Sequence, residues 1–294
     1  MDDFIHFVTV CQTRSSGLQM STSIAELIAD RMDHMPAGER RAAQILIANY
    51  PLTGLRTVAE FSAQAGVSSP TILRFVARLG FQNYADFQAR LQDELAAQLQ
   101  SPLSRATGPE SDRHTTPFVA AAIENVRETF RHLPDRQVDE IVGVLSNRRG
   151  KVYLLGGRFT DPVAAYMAAH MAIVRPGVQH LTGQESNWRD RLIDMGRNDV
   201  VVIFDIRRYQ ESLLRFAEAA HGRGAQIILL TDQWLSPIAR YARHVVAGRT
   251  AVPSTWDSSV ALLLVAEALT GDLTRKLEDA SAKRISEMER FRGG

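Results

Sequence analysis

The sequence is poor in the residues on which metal-binding, disulfide-bonded and membrane-spanning proteins depend. Its 294 residues include one cysteine, Cys11, which excludes an internal disulfide and a cysteine-rich metal site. The eight histidines show no metal-ligand spacing. The longest apolar runs, 200–204 and 261–266, are far shorter than the roughly 20 residues of a membrane-spanning helix. We therefore expect a cytoplasmic protein with no metal, no other cofactor and no membrane contact.

The chain also lacks a strong charge of either sign. It carries 34 Lys or Arg residues against 33 Asp or Glu residues, a net charge of +1. Residues 1–100 contain no lysine, and their eight arginines face ten acidic residues. The total charge therefore does not indicate a nucleic-acid-binding protein, and any such function depends on where the charges lie. The acidic start, Met1-Asp2-Asp3, differs from the basic start of a signal peptide, so we expect no export signal.

Composition divides the chain into four segments. Residues 1–20 show no clear helical period and are expected to be a disordered arm or the product of an upstream start. Residues 21–100 have apolar side chains at helical spacing, which predicts an all-α domain. Residues 101–116 are rich in Pro, Ser and Thr and predict a linker. Residues 117–294 alternate short apolar runs with amphipathic helices, a pattern typical of a parallel sheet with helices on both faces.

Residues 57–81 have the pattern of a helix-turn-helix motif. A first predicted helix ends at Gly66, and Ser68 or Ser69 caps a second predicted helix that has Pro70 in its first turn. One face of this second helix is apolar and is expected to be buried: Ile72, Phe75, Val76 and Leu79. Gly80 follows as the C-terminal cap.

The opposite face of the second helix combines hydroxyl groups with two arginines. The residues predicted to contact DNA there are Ser68, Ser69, Thr71, Arg74 and Arg78. No acidic residue lies between Glu60 and Asp86, so this face suits the groove of a DNA duplex. The alternative is an ordinary helical hairpin whose exposed face carries arginines without binding DNA.

Several stretches resemble the RpiR family of bacterial transcriptional regulators. They are MPAGERRAAQIL at 35–46, NYP at 49–51, TVAE at 57–60, GVSSPTILRF at 66–75 and LGF at 79–81. That family joins a helix-turn-helix domain to a sugar isomerase (SIS) domain, a flavodoxin-like fold that binds phosphosugars and other carbohydrate derivatives. The resemblance covers about 20–280 and implies a three-layer α/β C-terminal domain. It also implies a homodimer or homotetramer that forms through the SIS domain.

Four loops are expected at the carboxyl ends of the predicted strands, where parallel sheets bind ligands. They are residues 156–160, 205–209, 231–239 and 253–256, called here the first to fourth loops. We predict that these loops hold a small anionic effector. The predicted effector-binding residues are Gly157, Arg158, Thr160, Asp205, Arg207, Arg208, Tyr209, Thr231, Ser254 and Thr255.

The second loop departs from the SIS pattern, which has a serine-rich phosphate loop at this place. Here Arg207 and Arg208 form a cationic fork. Together with Arg158 and Tyr209 they would over-coordinate one phosphate, and they suit a dicarboxylate, an acidic sugar or an amino-acid-like ligand. A phosphosugar and the absence of any ligand are the alternatives. Another alternative is that Asp205 pairs with Arg207 or Arg208 and stiffens the loop.

A sugar-phosphate isomerase with the SIS fold is the rival function. Such an enzyme needs a base beside a phosphate anchor. His180 and Glu185 lie near a predicted strand end, but no anchor loop accompanies them. We therefore predict a regulator and not an enzyme. It would bind a double-stranded DNA operator and sense its effector to control a catabolic or transport operon.

Overall fold

The computed structural model of the protein describes residues 22–99 and 115–292. The arm predicted at 1–20 and most of the linker predicted at 101–116 lie outside the described residues. Thr115 and Thr116, which the prediction placed in the linker, already belong to a helix. The boundaries of the four segments otherwise stay predictions.

Residues 22–99 form a bundle of short helices around one apolar core. The helices are α1 (Ile24–Arg31), α2 (Ala37–Ala48), α3 (Val58–Ala65), α4 (Ser69–Arg78) and α5 (Tyr84–Leu99). A capping box opens α1 and another opens α3: Ser23 bonds the amide of Glu26, Thr57 bonds that of Glu60, and each glutamate bonds back. These reciprocal bonds satisfy backbone groups that a helix start leaves without a partner.

The helix-turn-helix geometry matches the sequence prediction. Gly66 ends α3 with a φ of 60°, and Gly80 follows α4 with a φ of 99°, values that a residue without a Cβ adopts without strain. The four apolar side chains predicted to be buried on α4 are each at most 2% exposed. Ser68 is the N-cap of α4, although its hydroxyl does not bond the helix backbone.

Residues 115–292 form a parallel sheet with helices on both faces. The strands are β1 (Val152–Gly156), β2 (Val178–His180), β3 (Val200–Asp205), β4 (Gln226–Asp232) and β5 (His244–Gly248). The helices are α6 (Thr115–Arg131), α7 (Asp135–Leu145), α8 (Asp161–Val174), α9 (Glu185–Asp190), α10 (Glu211–Gly222), α11 (Val260–Lys276) and α12 (Glu278–Arg292). None of the helices in the two described ranges is both long and apolar enough to cross a membrane.

The sheet order is β2-β1-β3-β4-β5, and every pairing is parallel. One apolar cluster lies between the sheet and α7, α8 and α11, and a second lies on the α9 and α10 side. The predicted three-layer α/β fold is thereby confirmed. The chain turns to opposite sides of the sheet after β1 and β3, so the crevice between these two strands is the switch point.

One predicted helix differs from the observed one. The sequence predicts a helix over 188–195, whereas α9 begins at Glu185 and is followed by a 3₁₀ turn at Arg191–Asp194. Trp188 is the buried residue of α9, and the turn before it faces solvent. Because an exposed first turn needs no apolar residue, the apolar pattern begins later than the helix.

The helical bundle packs against the edge of the sheet that β5 forms. Leu235, from the loop after β4, is part of the bundle core, and Val245 and Ala247 of β5 pack against it. Arg249, which follows β5, forms an ion pair with Glu26 of α1 at 2.7 Å. The side chains of both are less than a tenth exposed. The bundle and the sheet domain are therefore joined by apolar packing and by a buried ion pair.

Candidate functional site

The exposed face of α4 presents a row of polar side chains. Arg74 is exposed and donates a hydrogen bond to the Thr71 hydroxyl at 3.1 Å. That hydroxyl lies 2.9 Å from the hydroxyl of Ser68. Leu73 on the same face is 48% exposed. The helix therefore offers an arginine, two hydroxyl groups and an aliphatic side chain, a set that suits base edges and phosphates in a major groove.

Arg78 is held differently from Arg74. Its guanidinium donates to the carboxylate of Glu39 on α2, and this hydrogen bond is the main cause that raises the pKa of Arg78. The Arg78 side chain is 40% exposed, whereas that of Glu39 is 4% exposed. Arg78 thus fastens α4 to α2 while the rest of its side chain reaches solvent.

Ser69 lies nearer to the helix crossing than the sequence prediction placed it. Its hydroxyl is 3.3 Å from that of Ser62 on α3. Ser69 is partly buried, whereas Ser68 is exposed. This places the Ser69 side chain between the two helices of the motif, and a DNA contact by Ser69 stays a prediction.

The four loops predicted to bind the effector converge at the carboxyl edge of the sheet. A Cβ added at Gly157 in the first loop would lie 3.7 Å from the Asp205 carboxylate, which marks how close the first and second loops are. The hydroxyl of Ser236 in the third loop donates to Asp205 at 2.5 Å. Phe159 of the first loop and Trp256 of the fourth form a ring contact at 5.5 Å. The four loops therefore meet at one place on the carboxyl edge of the sheet, called here the crevice.

Two buried carboxyl groups form the floor of this crevice. Asp205 and Asp232 end neighbouring strands and are 2% and 0% exposed. Asp232 accepts hydrogen bonds from the Tyr209 hydroxyl at 2.7 Å and from the Arg207 amide at 2.6 Å. Burial raises the pKa of Asp205 to about 7 and that of Asp232 to about 6. The floor therefore carries less than two full negative charges near neutral pH, so it repels an anion less than two ionised carboxylates would.

Arg207 is already engaged by protein groups. Its guanidinium pairs with Asp257, directly after the fourth loop, at 3.1 Å, and it lies over the Trp234 ring at 4.2 Å from the centroid. It also donates to the Ala97 carbonyl of α5 at 3.0 Å. The sequence alternative that paired an arginine with Asp205 is wrong for Arg207, whose carboxylate partner is Asp257.

The remaining predicted residues fall into two groups. Thr160 and Thr231 are at most 1% exposed, and their hydroxyls bond the backbone carbonyls of Phe204 and Asp205. They hold the loops together and do not present free hydroxyl groups. The other group reaches solvent: Arg158 and Arg208 are exposed, and Ser254 and Thr255 are partly so. Ligand contacts by this group stay predictions.

The sequence analysis placed Asp232, Trp234 and Ser236 in the third loop but did not single them out, and Asp257 lies one residue beyond the predicted fourth loop. Asp232 had a detectable signal, because it ends β4 just as Asp205 ends β3. The ion pair of Arg207 with Asp257 joins residues 50 positions apart, and no local sequence pattern predicts it.

Neither residue of the rival isomerase hypothesis stands as an unpaired base. His180 Nε2 lies 2.9 Å from Asp161, which also accepts from the Gly156 amide, and Glu185 pairs with Arg215. Across residues 22–99 and 115–292, no group of three or more His, Cys, Asp or Glu side chains could hold a metal ion.

Two family models match the chain. The helix-turn-helix domain of the rpiR family matches residues 22–98, and the SIS domain matches residues 144–270. The two ranges correspond to the helical bundle and to the sheet domain.

Among curated proteins, the bifunctional protein glk of Burkholderia thailandensis is 28% identical over 229 residues, which are 76% of this chain and 34% of that protein. The chain therefore spans about a third of the length of that relative. An uncharacterized HTH-type transcriptional regulator of Haemophilus influenzae is 24% identical over 90% of this chain and 94% of its own length.

Two solved structures share the fold. The sugar isomerase domain of an RpiR transcription factor from Sphaerobacter thermophilus has a TM-score of 0.54 and 22% identity, and covers 59% of this chain and 96% of its own. The Vibrio vulnificus NanR protein complexed with ManNAc-6P has a TM-score of 0.52 and 16% identity, and covers 91% of this chain and 97% of its own.

Proposed function

We propose that this chain is a transcriptional regulator of the rpiR type with a SIS domain. In this proposal it controls an operon by binding its operator through α4 and an anionic metabolite through the crevice. Its helix-turn-helix domain is that of a transcriptional regulator, and this domain favours a regulator over an enzyme. The observation that carries the proposal is the exposed face of α4, where Arg74 and two hydroxyl groups stand beside a tightly capped turn. A catabolic or transport operon is the proposed target, and such a target lies in the cytoplasm.

Two copies of the chain are needed to read a symmetric operator. One helix-turn-helix reads only a few base pairs, and paired half-sites call for a two-fold assembly. We propose that the SIS domain forms the homodimer or homotetramer. Light scattering of the full chain is expected to give a dimer or a tetramer, and a stable monomer that still binds an operator would contradict this assembly.

A carboxylate-bearing metabolite is the proposed effector class. Arg158 and Arg208 are exposed at the crevice, and Phe159 and Trp256 offer a pair of exposed rings beside them. Guanidinium groups bind carboxylates through paired hydrogen bonds, and aromatic rings pack on an apolar ligand face. A phosphosugar is the second candidate, since the NanR structure of similar fold was solved with ManNAc-6P.

The DNA proposal is tested by selecting bound fragments from the genome that encodes the chain. The wild type is expected to enrich a small set of sites, and the affinity should fall steeply with salt because bound phosphates release counterions. The double variant Arg74→Ala, Arg78→Ala should enrich no site. The control is Arg148→Ala, which removes an exposed arginine next to β1. Equal enrichment by all three proteins would refute the assignment of α4.

The effector proposal is tested by thermal shift with dicarboxylates, sugar acids, amino acids and sugar phosphates. A ligand that binds only the folded protein raises the melting temperature by mass action. A carboxylate is expected to stabilise the wild type, and the double variant Arg158→Gln, Arg208→Gln should lose that response. Stabilisation by sugar phosphates alone would overturn the carboxylate class. No response to any of these compounds would overturn the sensing role.

A further inference from the structure

The second loop of the crevice contacts the DNA-reading domain directly. Arg207 belongs to this loop, and its guanidinium donates to the Ala97 carbonyl at 3.0 Å. Ala97 belongs to α5 and lies among the last described residues of that helix. Arg207 therefore ties α5 to the sheet domain through a hydrogen bond between a side chain of one domain and a backbone carbonyl of the other.

The same guanidinium is held by two loops of the crevice. Asp257 pairs with it, and the Trp234 ring lies against its plane. The Arg207 side chain is only 6% exposed, so these contacts form in a region with little water. Its backbone amide is bonded to Asp232 on the crevice floor. A change in the second, third or fourth loop can therefore reach α5 through the Arg207 side chain.

Two further features suit a switch at this place. Arg208, the next residue, has a φ of 64°, a left-handed conformation that costs free energy in a residue other than glycine. The strained loop therefore has a lower-energy backbone conformation available once its contacts change. In addition, α5 packs against α4 and supplies Phe87 and Leu91 to the bundle core. A movement of α5 would therefore change the packing of α4, the helix proposed to face DNA.

We propose that Arg207 couples the crevice to the DNA-reading domain by holding the Ala97 carbonyl of α5 only while the crevice is empty. An anion in the crevice competes with Asp257 and with the Ala97 carbonyl for the guanidinium, and its binding releases this part of α5. This inference rests on the proposed function, because it requires an anion in the crevice. The two states differ in which acceptor holds Arg207, which gives the ligand the differential contact that any conformational switch needs.

Hydrogen–deuterium exchange of the full-length protein tests this coupling without knowledge of the operator. Without ligand, Arg207→Gln should speed the exchange of amides in residues 92–99 by about fivefold, the factor expected for loss of one ordinary hydrogen bond. Arg240→Gln is the matched control, since Arg240 is an exposed arginine in the 3₁₀ turn after β4 and donates to the Pro237 carbonyl of its own turn. Equal exchange in wild type and Arg207→Gln would overturn the role of the Arg207 contact.

A second variant separates coupling from a purely structural contact. Asp257→Asn keeps Arg207 but weakens its anchor in the crevice, and it should also speed exchange in residues 92–99. If Arg207→Gln has an effect and Asp257→Asn has none, Arg207 is a structural contact that does not respond to the crevice, and the coupling is refuted.

The ligand arm uses sodium malonate and glucose 6-phosphate at constant ionic strength. A probe that raises the melting temperature should speed exchange in residues 92–99 of the wild type and leave Arg207→Gln unchanged. Binding without a change in exchange would overturn the coupling. If neither probe binds, the proposed effector class loses its support, while the two variants still decide whether the crevice and α5 are coupled.

Discussion

Arg74 and Arg78 lie one helical turn apart on α4 and have different tasks. Arg74 is exposed and donates a hydrogen bond to the Thr71 hydroxyl, so its charge faces outward. Arg78 is bonded to the nearly buried carboxylate of Glu39. Removal of Arg78 therefore takes away a proposed DNA contact and also leaves a carboxylate without its cation, whereas removal of Arg74 affects the outer face alone.

We predict that Arg74→Ala weakens operator binding by roughly 1–3 kcal/mol and leaves the midpoint of urea unfolding unchanged. Arg78→Ala should weaken binding and also lower the free energy of unfolding, because the buried carboxylate of Glu39 loses its partner. Fluorescence anisotropy with a selected operator and urea unfolding measure the two effects. Identical unfolding midpoints for the two variants would contradict the structural task of Arg78.

Asp205 gives the protein a pH dependence with a definite sign. Burial raises its pKa from 3.8 to about 7, so the folded protein holds a proton that the unfolded chain has already released. The free energy of unfolding should therefore fall as the pH rises from about 4 to about 7, and this contribution should then level off.

The variant Asp205→Asn should lose that part of the pH dependence, which urea unfolding at pH 5 and pH 8 measures. The amide keeps an acceptor for the Gln210 backbone and a polar group for Ser236. Asp232 contributes in the same direction with a pKa raised to about 6, so a smaller dependence persists in the variant. Wild type and variant with the same fall in stability would contradict the raised pKa of Asp205.

At the level of single residues, the sequence identified which loops form the crevice but not how each side chain is used. Asp205 and Arg207 stand at strand ends, and strand ends are visible from apolar runs and the polar residues that follow them. The partner of Arg207 is set by the distance between the second and fourth loops, which only the closed sheet determines. The hydrogen bond of the buried Thr160 hydroxyl was not predicted for the same reason, since its acceptor, the Phe204 carbonyl, belongs to β3.

At the level of helices and strands, the sequence predicted nearly every element, because local signals agree with the fold. The capping box of α3, Gly66 and the apolar stripe of α4 all mark the same motif. Strands of the sheet are continuous apolar runs because both of their faces are covered. The start of α9 was missed, since an exposed first turn carries no apolar residue.

The turn between α3 and α4 offers a test at this scale. Gly66 has a φ of 60°, and a Cβ added there would meet no heavy atom within 4 Å. Gly66→Ala should therefore act through backbone strain alone and destabilise the protein by about 1 kcal/mol. Urea unfolding checks this value, and Gly222→Ala, which adds a methyl group in open space within α10, is the control. A loss of several kcal/mol for Gly66→Ala would mean that the turn is packed more tightly than its geometry shows.

At the scale of the whole molecule, a buried cluster of charges joins the two domains. Arg249 lies after β5 and pairs with Glu26 of α1 at 2.7 Å and with Glu128 of α6 at 3.5 Å. All three side chains are at most 9% exposed. No sequence pattern predicts this cluster, since it joins residues more than 200 positions apart, yet it fixes how the DNA-reading bundle sits on the sheet domain.

The cluster predicts unequal costs for its two ends. Breaking a buried ion pair by removal of one partner costs roughly 3–5 kcal/mol, because the other charge stays buried. Glu26→Gln should lie at the low end of that range, since Arg249 keeps Glu128 as a carboxylate partner. Arg249→Met should cost more, because it takes the guanidinium from both Glu26 and Glu128, and only Glu128 keeps another arginine partner, Arg131 at 2.8 Å. Urea unfolding of the full chain measures which of the two variants loses more stability. The control is Arg136→Met. Arg136 is an exposed arginine whose pair with Asp33 spans the same two domains at the surface. Surface pairs contribute at most about 1 kcal/mol, so the control should change little.

Equal losses for Glu26→Gln and Arg249→Met would show that Glu128 does not share the guanidinium. A negligible loss for both would show that the two domains hold together without the buried pair.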